Sequence, residues 1–254
     1  MFYGFADLKE RERVMNLILQ VKQAYQAIGA RTYTGDMLCT FGRNQGFVDD
    51  AKFREAFDGS ADSSDETSWL WRLHTLTWAG RQALALEGDF VECGTFRGFM
   101  SAVVCKYLDF EKQPKSFYLY DSFAGLPDQW STPAERHNTN PIYARAERYN
   151  VDAVRARFAR YPNVRICQGV VPDVLIGTAP ERIAYLHIDL NAASAEIAAL
   201  DILFDRVVPG GTIVFDDFGH MAHAAQYAAE TTWMGARGYS ILELPTGQGL
   251  VIKR

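Results

Sequence analysis

The sequence predicts an α/β fold: a doubly wound, mostly parallel sheet of the seven-stranded, Rossmann-like type, with a C-terminal antiparallel hairpin and a helical N-terminal extension. Three observations carry this. Short apolar strand candidates alternate with helical patterns over residues 88–235. The first of those strands runs into a glycine turn, Glu92-Cys93-Gly94-Thr95-Phe96-Arg97-Gly98, and then into the apolar run Phe99–Cys105. A strand, a tight turn and a helix in that order form the ligand-binding start of many such sheets. Finally, 240–244 and 249–253 are apolar stretches joined by Pro245-Thr246-Gly247-Gln248, which fits a hairpin and makes the sheet's end antiparallel.

Taken in order, residues 7–28 read as an amphipathic helix, with Leu8, Val14, Leu17, Ile18, Val21, Ala24, Tyr25 and Ile28 at helical spacing and Gly29 as a stop. Its apolar stripe has to cover either the ligand-binding domain or a partner subunit. Residues 30–47 read as loop, with Gly35, Gly42 and Gly46; Phe41–Phe47 suits either a mobile lid or an exposed connector. A short helix over 49–57 and a polar break over 58–65 precede a strong helix at 68–86, rich in Trp71, Leu73, Leu76 and Trp78. The expected division is therefore a helical extension or lid over 1–67 and a ligand-binding domain over 68–254. Beyond Asp121, residues 128–149 read as a long structureless segment, the natural place for a substrate lid or pocket wall. An arginine-rich helix with a solvated basic face (151–160), a strand (163–169), a strand (183–189), a helix (193–205), a strand (212–217) and a helix (221–235) follow.

Composition narrows the function classes. The chain has 254 residues, 48% of them hydrophobic, enough for a packed core, and a net charge of −5. That charge leaves no basic face for a phosphate backbone, so nucleic acid is not an expected partner. The cysteines Cys39, Cys93, Cys105 and Cys167 form no C-x-x-C pair, which removes the usual zinc and redox motifs. Cys93 and Cys167 lie in strand candidates and are expected to be small buried hydrophobes. Nothing in this size class needs a disulfide, and a reducing cytoplasm fits. The charged run Asp7 to Glu12 is unlike a leader peptide, and no apolar stretch approaches the ~18 residues of a membrane span.

The chemistry-bearing residues fall at the predicted strand ends, where open α/β sheets bind their ligands. Glu92 stands two residues before Gly94, in the pattern E-x-G-x-x-x-G rather than G-x-G-x-x-G. A carboxylate there suits a ligand with a cationic end, such as the amino group of S-adenosylmethionine (SAM). Asp121 ends the strand Phe117–Tyr120, the position from which an acid holds the ribose hydroxyls of an adenosine. The candidate cofactor set is Glu92, Gly94, Thr95, Gly98, Ser101, Asp121, Ser122 and Gly169, with Gln168 and Val170 beside the last at the adenine edge. Asp189 ends the strand 183–189, and Asp216-Asp217 ends the strand 212–217. Carboxylates on neighbouring strands about 4.8 Å apart repel unless a cation joins them. Oxygen ligands with room for water suit Mg²⁺, and less selectively Ca²⁺ or Mn²⁺. The alternative is that Asp216 and Asp217 cap the next helix while Asp189 pairs with a base such as Arg206.

The stretches Gly88–Gly94, Tyr120-Asp121-Ser122-Phe123-Ala124-Gly125-Leu126-Pro127, His187-Ile188-Asp189 and Pro209 through Asp217 together resemble the class I SAM-dependent methyltransferases. More narrowly, they resemble the macrocin/novobiocin-type (TylF-like) O-methyltransferases of antibiotic sugar biosynthesis. The likeness spans residues 68–254. It implies SAM as cofactor, Mg²⁺ on Asp189, Asp216 and Asp217, a small-molecule acceptor, and homo-oligomers whose N-terminal segments help close the site. It also implies a general base two or three residues after Asp189, where this chain has Asn191 and Ala192, and a tyrosine where it has Phe218. Asn191 orients a hydroxyl or fills a metal's outer shell, but takes no proton. His220 is then the first candidate base; His187, inside a strand, suits a structural role, and His137 and His223 have no supporting pattern. The expectation is a Mg²⁺-dependent O-methyltransferase acting on a hydroxyl of a sugar or other polar natural product. The alternatives are a metal-independent N- or small-molecule methyltransferase and a SAM-binding, non-catalytic partner protein.

Overall fold

The computed structural model describes residues 8–63, 66–147 and 149–254. In chain order its elements are α1 (Leu8–Ala27), β1 (Thr32–Gly35), β2 (Leu38–Phe41), α2 (Ala51–Asp58), α3 (Leu70–Ala83), β3 (Asp89–Cys93), α4 (Phe99–Leu108), β4 (Phe117–Asp121), α5 (Pro133–Arg145), α6 (Val151–Phe158), β5 (Val164–Gln168), β6 (Ile183–Ile188), α7 (Ala193–Leu203), β7 (Val207–Phe215), α8 (Ala224–Gly235), β8 (Leu242–Glu243) and β9 (Gly249–Ile252), with short 3-10 turns between some of them. The main sheet has seven strands in the order β5-β4-β3-β6-β7-β9-β8. The first five are parallel, and β9 pairs antiparallel to β7 and to β8. The order reverses direction of growth between β3 and β6, the switch point at which such sheets open a ligand crevice.

Alternation along the strands builds two cores. Phe90, Phe117, Leu119, Tyr185 and Val214 point to the face covered by α2, α3, α4 and α6. Val91, Cys93, Tyr120, Leu186, Ile188, Ile213 and Phe215 point to the face covered by α7 and α8. Each of these fully buried aromatic or aliphatic side chains contributes on the order of 2 kcal/mol. The same alternation puts Glu92, His187 and Asp216, two residues on from Phe90, Tyr185 and Val214, on the α3 side of the sheet. Three polar side chains thus enter an apolar face side by side.

Several expectations change here. Residues 32–41 form a hairpin rather than loop; its two-residue turn, Asp36-Met37, has both φ values positive, at 50° and 59°. That is the backbone of a type I′ turn, made without the usual glycine. Among the described residues before α3, Tyr33, Phe53 and Phe57 belong to the same core as α3 and α4. Phe47 does not cover the cleft; it stacks on His74 at 4.3 Å and meets Trp71 edge-on. The segment 128–149 contains a 3-10 turn (Asp128–Trp130) and α5. α5 starts at a capping box in which Thr132 accepts from the Glu135 amide and Glu135 accepts from the Thr132 amide, with Pro133 in its first turn. Cys93 is buried, whereas Cys167 is half-buried because β5 is an edge strand. The stripe on α1 finds little cover: Leu17, Val21, Tyr25 and Ile28 are exposed. Among the described residues, no helix is long and apolar enough to cross a membrane.

Candidate active site

At the cofactor end of the crevice the backbone sets the geometry. Gly94 has φ of 91°, and a Cβ there would lie 1.8 Å from the Asp189 carbonyl oxygen. Only glycine permits this approach, which draws the end of β3 against the end of β6. Gly98, with φ of 74°, opens α4. Asp121, at the end of β4, accepts from the Phe96 amide at 2.7 Å and from the Phe123 amide at 2.7 Å. Burial pushes its carboxyl up, opposed by those amides and by the Tyr149 hydroxyl, which donates to it at 3.1 Å. Tyr149 also accepts from the Gly125 amide at 3.1 Å, and its ring stacks on Tyr143 and meets Phe96. The crevice is thereby narrowed to a cavity of 40 Å³, bordered by Gly94, Asp121, Ser122, Tyr143, Tyr149 and Asp189 among others. A small-molecule pocket needs roughly 300 Å³ or more. The Tyr149 hydroxyl thus engages Asp121 from within the cavity lining.

At the acid end, Asp189, Asp216 and Asp217 converge, with one ligand oxygen of each within 4.8 Å of the others. Their surroundings differ. Burial and the charges of Asp216 and Asp217 push the Asp189 carboxyl well up; Asn191 Nδ2 donates to its Oδ1 at 3.2 Å. Burial works against ionised Asp216 too, but Arg72, His187 and Gln248 hold it well below the usual carboxylate range. Arg72 Nη1 donates to Asp216 Oδ2, and to Asp217 Oδ1 at 3.2 Å. Gln248 Nε2 donates to Asp216 Oδ1 at 2.9 Å. His187 bridges Glu92 Oε1, 3.0 Å from Nδ1, and Asp216 Oδ1, 3.4 Å from Nε2. Burial opposes a charged ring there, yet the hydrogen bonds and charges of Asp216 and Glu92 raise the His187 pKa to about 10.

Comparison with known proteins gives these two ends a common setting. A sequence model of the family described as Macrocin-O-methyltransferase (TylF) matches residues 72–234, more than half of the chain. The chain belongs to the TylF family. It is 31% identical over 165 residues to the 8-demethyl-8-(2,3-dimethoxy-alpha-L-rhamnosyl)-tetracenomycin-C 4'-O-methyltransferase of Streptomyces olivaceus, a match over 59% of this chain and 60% of that protein. Among solved structures, it resembles the O-methyltransferase NovP (TM-score 0.60, 20% identity, 72% of this chain and 80% of that one). It also resembles the calicheamicin methyltransferase CalS11 (TM-score 0.59, 17% identity, 79% of this chain and 91% of that one). At these identities the structural likenesses establish the shared fold.

Within this TylF-family fold, the expected residues divide into those that face the crevice and those that stand behind it. Gly94, Asp121, Ser122 and Asp189 border the cavity. Glu92 does not reach it directly: Oε1 is on His187, and Oε2 accepts from Ser101 Oγ at 2.6 Å. Glu92 and Ser101 are 2% and 1% exposed, so both serve the inner network rather than a ligand's amino group. Thr95 Oγ1 turns to the Tyr120 carbonyl at 3.4 Å, and Gly169 donates its amide to the Asp121 carbonyl at 2.9 Å, supporting the strand end. Arg206 is no partner for Asp189; it donates to the carbonyls of Ala179 and Pro180. His220, the expected base, has Nε2 2.8 Å from Arg72 Nη2. Arginine only donates, so that nitrogen is the acceptor and is already engaged. Asn191, at φ of 57°, lies beside both Asp189 and the Tyr143 hydroxyl, 3.4 Å away, as a hydroxyl-orienting residue would.

Behind the acid end runs a second polar chain. His223 Nδ1 meets Gln226 Oε1, Gln226 Nε2 donates to Glu196 Oε1 at 2.8 Å, and Glu196 accepts the Leu190 amide at 3.1 Å. Glu196 therefore pins the turn that carries Asp189 and Asn191. Burial and the neighbouring Glu196 charge raise the Glu230 pKa to about 12, so this carboxyl keeps its proton.

Arg72, Asp36 and Gln248 are site residues that pattern reading missed, whereas Tyr143 and Tyr149 belong to the 128–149 segment expected to wall the pocket and do border the cavity. Arg72 sits in an apolar-looking helix, and its partner Asp216 is 144 residues away. A capping box at Thr132 and Glu135 was the available signal for α5, which carries Tyr143. A larger groove of 480 Å³ lies between α4 and α6. Its cations are already paired, Arg97 with Glu66, Arg157 with Asp62, Arg160 with Glu111 and Lys106 with Glu55, so it offers no uncompensated charge.

The chemistry of the donor set fits a hard divalent ion at Asp189, which borders the cavity, and Asp217, which is partly exposed beside it. Asp216 fits it less well, since both its oxygens are bonded inside the protein.

Proposed function

We propose that the protein transfers a methyl group from SAM to a hydroxyl of a sugar or sugar-bearing natural product. The observation that carries this is that Asp121 and Asp189 border one cavity, so a cofactor bound at β4 and an acceptor bound at β6 would face each other. The Streptomyces olivaceus relative, a 4'-O-methyltransferase of a rhamnosyl-tetracenomycin, supports the acceptor class. The chain matches about 60% of that relative's length.

Asp121 would hold the ribose hydroxyls once Tyr149 releases it. The Gly94 turn admits the cofactor's backbone-facing edge without a Cβ in the way. Asn191 Nδ2 orients the acceptor hydroxyl against Asp189, and Tyr143 closes the cavity over both. Mg²⁺ on Asp189 and Asp217 would lower the pKa of a bound hydroxyl and fix it in line with the methyl group. Closing the crevice excludes water from the sulfonium centre. The exposed stripe on α1 supports a homo-oligomer, as the family resemblance implies.

Metal-independent transfer is the alternative that one observation favours: the Arg72 guanidinium already pairs with Asp216 and Asp217. Incubation with SAM and rhamnosylated acceptors, read by mass spectrometry for the added methyl group, tests the proposal. Product that survives EDTA selects the metal-independent route. No product with any glycosylated acceptor, despite SAM binding, favours a non-catalytic partner protein.

A further inference from the structure

Arg72 descends from α3 onto the three aspartates and spends nearly all of its donors there. Nε donates to Asp36 at 2.8 Å, Nη1 to Asp216 and Asp217, and Nη2 to His220. Its side chain is 7% exposed, as is that of Asp36. The planar fork reaches four acceptors at once, which the point charge of a lysine would not do.

We propose that Arg72 is the resident cation of this cluster, that it takes Asp216 out of the metal-ligand set, and that a divalent ion is held by Asp189 and Asp217 alone. This rests on the ion proposed above and is independent of SAM binding.

The three carboxylates are not equivalent. Asp216 is 2% exposed, with Oδ2 on Arg72 and Oδ1 on Gln248 and His187. A ligand role would require breaking one of these bonds in a buried site, leaving a donor unpaired. Asp189 borders the cavity and, among the described residues, accepts a side-chain hydrogen bond from Asn191 alone. Asp217, 16% exposed, shares Oδ1 with Arg72 and has Oδ2 3.7 Å from His223 Nε2. Among the described residues, Asp36, Glu92, Asp189, Asp216 and Asp217 face only Arg72 and His187 as cations, a deficit that a divalent ion at the open side would fill. The same arginine repels that ion, so the site is weaker than one built from three free aspartates.

What places the cation is the N-terminal hairpin. Asp36 occupies a turn position with φ of 50° and accepts from Arg72 Nε. The hairpin is therefore part of the acid end, although it lies far from it in sequence.

The test is Mn²⁺ titration followed by electron paramagnetic resonance, with thermal unfolding run on each protein. Arg72→Gln removes the competing charge and is expected to raise Mn²⁺ affinity at least ~tenfold. Asp189→Asn and Asp217→Asn are expected to lower it at least ~tenfold. An Arg72→Gln protein that folds and binds Mn²⁺ no better, or worse, overturns the proposal. Should that variant not fold, crystals of the unaltered protein soaked in Mn²⁺ decide by anomalous scattering. The expected ion lies about 2.1 Å from oxygens of Asp189 and Asp217, with Arg72 still on Asp216. An ion bound to Asp216 with Arg72 turned away, or no ion, refutes it. Failure of SAM to bind in a separate calorimetric titration removes the methyl-transfer proposal and leaves this one standing.

Discussion

At the cofactor rim, the Asp121 carboxylate is gripped by the main-chain amides of Phe96 and Phe123, one from the glycine turn and one from its own loop. At the acid rim, Asp216 is gripped by the side chains of Arg72, His187 and Gln248, drawn from α3, β6 and the turn before β9. The first rim is assembled by local backbone shape and leaves its acid facing a cavity. The second is assembled by tertiary charge pairing and leaves its central acid facing inward. One rim is thus built to exchange partners, and the other to keep them.

The comparison makes its largest prediction for His187. His187→Phe would leave Glu92 and Asp216 buried without the donor between them, and breaking a buried charged network costs about 3–5 kcal/mol. Urea unfolding should show that loss, whereas Asp121→Asn should cost no more than about 1–2 kcal/mol because its amide donors can keep one acceptor. Equal losses would erase the distinction between the rims.

Much of this contrast was visible in the chain, and its limits have physical causes. Acids at strand ends and a glycine turn follow from local pattern, which singled out Asp121, Asp189, Asp216 and Asp217; of these, Asp121 and Asp189 border the cavity and Asp216 is buried behind it. Gly94 was read as room for a ligand; the structure adds that it makes room for the Asp189 carbonyl. Glu92 was assigned to a ligand because its partner, His187, becomes a neighbour only when β3 pairs with β6. The hairpin at 32–41 escaped notice because Asp36 and Met37 take left-handed φ values without glycine, a cost that the Asp36–Arg72 bond helps offset. The segment 128–149 read as structureless, yet α5 runs through Pro141 from a sound cap at Thr132.

A second, smaller effect sharpens the account of the acid rim. The Glu230 carboxyl, with its pKa raised to about 12, is neutral in the folded protein and ionised in the unfolded chain above about pH 4.3. Its stabilisation is complete below that unfolded value and is lost as pH rises toward the folded one. Glu230→Gln fixes the neutral form, so it should gain about 1–2 kcal/mol at pH 8 and little at pH 4. Melting curves of both proteins at the two pH values check this, and a variant that loses stability equally at both contradicts it.

The smallest expected effect concerns Tyr149. Tyr149→Phe removes the hydroxyl that occupies Asp121 and should tighten SAM binding by about 0.5–1 kcal/mol, since less has to be displaced. Weaker binding would instead make Tyr149 a contact of the bound cofactor.

The most direct measurement is calorimetric titration of SAM into the unaltered protein and into Asp121→Ala. The account predicts one site per chain, with affinity falling at least ~tenfold in the variant, whose melting curve shows it folded at the titration temperature although less stable than the parent. No binding to the unaltered protein, or equal binding to both, would contradict it.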